Sequence, residues 1–120
     1  MANIFLDTNI LIDLYGRDKS RTNQINQHNS YISPLSCHIL AYTNKIKIPN
    51  SKLNHLLENI GIVNLTQTIL ERSLSGPTDD LEDNIQLNSA AESDCQYFLT
   101  NDKFLLKIAY FGKMQIVNSL

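Results

Sequence analysis

Tryptophan is absent from this chain, and cysteine and proline are scarce, with two and three residues in 120. The cysteines, Cys37 and Cys95, stand far apart, in apolar contexts and outside any metal-ligand spacing. Two buried free thiols are therefore expected rather than a disulfide framework. No apolar stretch approaches the ~20 residues that cross a bilayer. The first residues show no charged segment leading into an apolar run and a cleavage site, so no secretory leader is expected and the cytoplasm is the expected compartment. Basic charge is not in excess either: ten Lys and Arg against twelve Asp and Glu leave a net charge of −2 and a pI of about 5.8. The molecule as a whole is thus not a general polyanion binder. An acidic site can nevertheless hold phosphates through bridging metal ions, helped by a local basic rim.

What is present is an alternation of short patterns within one expected domain, residues 1–120, with an ordinary globular content of 42% hydrophobic residues. Asn3–Leu6 reads as a buried strand feeding a helix over Ile10–Tyr15. The polar stretch "GRDKSRTNQINQHNS" lacks periodicity and reads as a loop or a poorly packed helix. "YISPL" reads as a second extended segment, with Pro34 starting the helix "LSCHILAYTNK". After Pro49 a short amphipathic helix is expected, capped by Asn50 or Ser51 and ended by Gly61. "IVNL" reads as a third strand, and Thr66 begins another helix. A long helix, the strand "YFLT", the helix "KFLLKIA", a turn at Gly112 and the strand "MQIV" complete the chain. Strands alternating with helices predict a parallel sheet covered on both faces.

Three acids stand where such a sheet gathers its chemistry, beyond the carboxyl ends of strands. Asp7 follows "IFL", Asp102 follows "YFLTN", and Asp83 lies in the first turn of the long helix. If the strands of Asp7 and Asp102 are neighbours, the three carboxylates converge. Crowded acids raise one another's pKa unless a cation neutralises them, and all-oxygen ligands suit Mg²⁺ or Mn²⁺. Singly, each acid could instead cap a helix or complement its dipole. Asp79 and Glu82 fit a capping box and are assigned to helix initiation; Asp80 could cap the helix or reach a metal through water.

The segments "IFLDTNILIDLY", "SPLSCHILAY" and "DLEDNIQLNSAAESDCQYFLTND", in this order over essentially the whole chain, closely resemble the PIN-domain family, which includes the toxin ribonucleases of bacterial toxin–antitoxin pairs. The resemblance implies a three-layer α/β/α sandwich around a parallel sheet, and acids that bind Mg²⁺ or Mn²⁺ and cleave RNA. It assigns Asp7, Asp83 and Asp102 as catalytic and metal-binding residues, with Asn9 in the small polar position after the first acid and Asn101 beside the last. It also implies an antitoxin partner and a homodimer. One position departs: where the family carries a glutamate in the helix after "SPLS", this chain has Ile39, with His38 beside it as a candidate ligand or phosphate contact.

A catalytically silent PIN-fold binding module is the alternative that Ile39 raises. A phosphoryl-transfer domain with Asp7 as nucleophile ranks lower, because Asn9 occupies the place of its second aspartate. Lys103, Lys107 and Lys113, with Lys45 and Lys47 elsewhere, are candidate backbone-phosphate contacts or solvated surface. His28 and His55 read as surface residues, and Tyr97, Phe98, Phe104 and Phe111 as core.

Overall fold

Along Asn3–Leu6 (β1), side chains alternate between two apolar surroundings, as the two-residue period of a strand requires. Ile4 and Leu6 enter one core with Ile10, Leu11, Ile32, Leu40 and Leu53. Phe5 enters another with Leu87, Phe98, Leu105, Met114 and Ile116. Phe5 and Phe98 stack with centroids 5.6 Å apart. A strand buried on both faces is what a parallel sheet between helical layers demands. The computed structural model, which describes residues 1–17 and 20–120, has that form.

Six strands among the described residues form one sheet in the order β3-β2-β1-β4-β6-β5. They are β1, Asn29–Ile32 (β2), Ile60–Ile62 (β3), Tyr97–Leu99 (β4), Tyr110–Phe111 (β5) and Met114–Val117 (β6). One face carries Thr8–Ile12 (α1), Thr22–Asn26 (α2), Pro34–Thr43 (α3) and Ser51–Leu57 (α4). Leu81–Glu92 (α6) and Lys103–Ile108 (α7) cover the other, and Gln67–Ser73 (α5) packs on α6. The expected α/β/α sandwich is thus present, with Ser33 capping α3 before Pro34, Asn50 capping α4 and Thr66 capping α5.

Several local expectations are corrected. The sheet is mixed, because β5 runs antiparallel to β6 around Gly112, whose φ of +62° the glycine accommodates. Gly61 does not end a helix. It lies inside β3, opposite Tyr31, where an added Cβ would come within 2.6 Å of the Tyr31 ring; the third strand therefore begins before "IVNL". The second strand begins at Asn29, ahead of "YISPL". The helix expected over Ile10–Tyr15 starts at Thr8 and gives way at Asp13–Arg17 to a π-helical turn, while the polar stretch that follows holds the short helix α2, and Asp18 and Lys19 lie outside the described residues. Phe104 is exposed rather than core, since α7 turns the next residue, Leu105, inward. His28 is half-buried, its Nδ1 accepting from the Ala2 amide at 3.1 Å, whereas His55 is exposed. Of the thiols, Cys95 is buried and Cys37 only partly so.

Candidate active site

The strands of Asp7 and Asp102 are neighbours. β1 pairs with β4 in parallel, Leu6 opposite Leu99, and the Asp7 amide donates to the Leu99 carbonyl at 3.0 Å. Both chains leave the sheet at the same edge, and both acids become helix caps. Asp7 Oδ1 accepts from the Thr8 amide at 2.8 Å; Asp102 Oδ1 accepts from the Phe104 and Leu105 amides at 2.8 and 3.2 Å. The capping explanation of each acid is therefore correct, and it is also what aims them at one place. Thr100 joins the two: its hydroxyl donates to Asp7 Oδ2 at 2.7 Å and accepts from the Asp102 amide at 3.0 Å.

From the opposite layer, α6 begins at Asp80, whose Oδ1 accepts from the Asp83 amide at 3.0 Å. Its first turn places Glu82 and Asp83 facing Asp7. The result is a cleft of about 320 Å³ lined by Asp7, Thr8, Asn9, Ile12, Asp80, Glu82, Asp83 and Asp102. Asp7, Asp83 and Asp102 are thus brought together, with Asn9 and Asp80 beside them. Asn101 sits at the rim, its amide donating to Asn9 Oδ1 at 3.4 Å and its side chain to Asp13 Oδ2 at 3.4 Å. His38 does not join them; it is exposed on α3 and lines no part of the cleft, because that helix turns Ser36 and Leu40 inward instead. Lys113 lies at the amino end of β6, across the sheet from the acids, and so forms no cluster with Lys103.

Two participants escape a reading by motif. Glu82, assigned above to helix initiation, lines the cleft, while the cap itself is Asp80. Beneath it, buried Gln86 donates to the Thr8 hydroxyl at 3.0 Å and the Ser36 hydroxyl at 2.8 Å, and accepts from the Ser33 hydroxyl at 2.8 Å. Glu82, Asp83 and Gln86 share one face of α6 by helical spacing, which is the signal that could have found them.

Electrostatics follow from the crowding. Burial raises the pKa of Asp7 most, the hydrogen bonds from Thr100 and Thr8 oppose it, and Asp102 and Asp80 add to it. Glu82 is raised by burial and by Asp7 and Asp80, against a hydrogen bond from Thr8. Asp83 is pushed up to about 7 by burial and then by Asp80, Asp7, Asp102 and Glu82. Such carboxylates are hard oxygen donors whose mutual repulsion a divalent cation relieves, so the set fits Mg²⁺ or Mn²⁺ in kind. The side chains are not already gathered around a point: among the described residues no three His, Cys, Asp or Glu side chains form a group able to hold an ion. Asp7 and Asp102 are turned towards their caps, and a cation would have to draw the acids together.

This architecture and cleft define the class of fold, and solved structures share it. A chain of a toxin–antitoxin complex from Klebsiella pneumoniae is 24% identical, with a TM-score of 0.69 over 82% of this chain and 86% of that one. VapBC2 from Rickettsia felis, solved bound to a DNA fragment from its promoter, matches at 18% identity and a TM-score of 0.74 over 98% of both chains. VapC20 of Mycobacterium tuberculosis, a toxin that cleaves the sarcin–ricin loop, matches at 9% identity and a TM-score of 0.67 over 93% and 98%. The fold of this chain is therefore the PIN-type sandwich of VapC toxins. No family profile and no curated protein matches the sequence.

Proposed function

We propose that the protein is a Mg²⁺- or Mn²⁺-dependent endoribonuclease, the toxin of a toxin–antitoxin pair. One observation carries this reading: Asp7, Glu82, Asp83 and Asp102, from three separate segments, line one cleft at the carboxyl edge of the sheet. The structural neighbours support it, since one is a toxin that cleaves an RNA loop and others come from toxin–antitoxin complexes. Those complexes also support a protein partner that restrains the activity; pairing of two copies remains the expectation of the resemblance.

Asp7, Glu82, Asp83 and Asp102 would hold the cation, with Asp80 at the edge of the set. When bound, the cation neutralises phosphate charge and activates a water for in-line attack. The chain's own contribution is placement. Thr100 fixes the orientation of Asp7 and ties it to the turn that carries Asp102. In the ion-free protein Asp83 titrates near neutral pH, so a cation that binds it displaces a proton.

A silent binding module is the second reading, favoured by the half-buried Ile39, through which α3 offers the cleft no carboxylate. Glu82 weighs against it by returning a carboxylate from α6. An Asp7 nucleophile is disfavoured, because Asp7 is 4% exposed and both its oxygens are engaged. The test is metal titration with an RNA-cleavage assay. Wild type should cleave RNA only with Mg²⁺ or Mn²⁺, and Asp83→Asn should lose about 10²-fold in rate, because a carboxylate that would hold the cation is gone. Metal binding without cleavage of any RNA would favour the silent module.

A further inference from the structure

A strongly acidic cleft repels the polyanion it is proposed to cut, so the backbone on either side of the cut needs cations fixed nearby. The lysines singled out in the sequence do not supply a positioned one. Lys103 and Lys107 are exposed on α7, and Lys113 is at the far edge. Arg21 is different. It precedes α2, is partly buried, and its guanidinium is held from two sides. Nη2 donates to Asn101 Oδ1 at 2.8 Å, and Nη1 donates to the Asn118 carbonyl, just beyond β6. Asn101 immediately precedes Asp102, and its amide reaches Asn9; both Asn9 and Asp102 line the cleft. The cation thus stands one hydrogen bond from the rim.

We infer that Arg21 is a phosphate-binding residue for the RNA strand entering this cleft, an assignment that rests on the ribonuclease reading above. Both acceptors are neutral oxygens, and among the described residues no carboxylate pairs with it. Among the described residues its charge is thus anchored by neutral acceptors, with the Asp13 carboxylate linked to it at one remove through Asn101. A guanidinium carries five N–H donors in a rigid fork, and two are used here, leaving three for an anion. Such a fork binds carboxylate or phosphate in bidentate fashion, and phosphate is the anion that an RNA strand brings. Asn101, beside Asp102 in the sequence, acts as the positioning residue of Arg21.

The test separates this assignment from the reading beneath it. Binding of a fluorescein-labelled single-stranded RNA is followed by polarisation across a salt series with Mg²⁺, using the full chain carrying Asp83→Asn so that the RNA survives. Adding Arg21→Gln, which keeps an amide donor for Asn101 but removes the charge, should weaken binding about tenfold. It should also flatten the log–log salt dependence by ~0.7, the contribution of one phosphate contact on a single strand. Arg21→Lys should restore the salt slope but only part of the affinity, because the charge returns without the fork. Unchanged melting temperatures would show that the variants fold. If RNA binds the parent chain and Arg21→Gln leaves the slope where it was, the Arg21 assignment fails alone. If the parent chain binds no RNA and the wild-type chain with Mg²⁺ neither binds nor cuts it, that assignment fails together with the ribonuclease reading.

Discussion

Glu82 and Asp83 are neighbours in sequence, and both are held in the cleft at raised pKa. Their charges act in opposite directions on two measurable quantities. In the ion-free protein, Glu82 repels Asp7 and Asp83, so its charge works against the fold. Towards a cation, the same charge attracts. Glu82→Gln should therefore raise the melting temperature in chelator and at the same time weaken Mn²⁺ binding about tenfold or more, the range seen when groups around a metal are altered. Isothermal titration and a thermal melt on one variant check both. A Glu82 that only helped to initiate the helix would give no change in Mn²⁺ affinity.

The element that decides the site is α6. Its residues Asn84 to Ala90 are all buried, yet Asn84, Gln86, Asn88 and Ser89 are polar. A helix buried in this way offers no clean apolar stripe, so periodicity locates it without saying what it packs on. The hydrogen bonds supply the answer. Asn84 accepts from the Thr78 amide and hydroxyl at 2.9 and 2.7 Å and donates to the Ser73 and Thr78 carbonyls, which fixes the loop ahead of the acidic first turn. Gln86 ties the helix to Thr8, Ser33 and Ser36 from the other layers. Gln86→Leu fills the space but leaves buried hydroxyls with fewer partners, at a cost of about 1–3 kcal/mol. Denaturant unfolding would register the loss. Cleavage should fall as well, because Thr8 adjoins Asp7 and bonds Glu82.

At the scale of the whole molecule, the cleft makes stability depend on pH and on metal together. Asp83 has a folded-state pKa of about 7 against 3.8 for the free side chain, and Asp7 and Glu82 are raised too. Between those values the folded protein binds more protons than the unfolded chain. Its stability in chelator should therefore fall as pH rises from ~4 to ~8, with the slope that linkage sets. Asp83→Asn should make the fall shallower, and saturating Mg²⁺ should reduce or reverse it, since the cation binds the ionised folded form. Melting temperatures across a pH series, with and without Mg²⁺, measure each effect. A flat profile in chelator would contradict the crowding of charge described here.

Much of this was legible in the chain because it is encoded locally. The short buried strand Asn3–Leu6, the helix starts at Pro34 and Thr66, the cap at Asn50 or Ser51, and an acid closing each of the segments "IFL" and "YFLTN" are short-range patterns, and they led to the layered α/β class and to Asp7, Asp83 and Asp102. Gly61 shows the limit: next to a helix it reads as a terminator, and only the Tyr31 ring on the neighbouring strand explains why glycine is needed there. Glu82, Gln86 and Arg21 lie beyond that limit for the same reason. Their partners, Asp7 and Thr8 for the first two and Asn101 and Asn118 for Arg21, are separated from them by more than seventy positions. Which of those partners meet is set by the strand order β2-β1-β4-β6, and no local period carries that order.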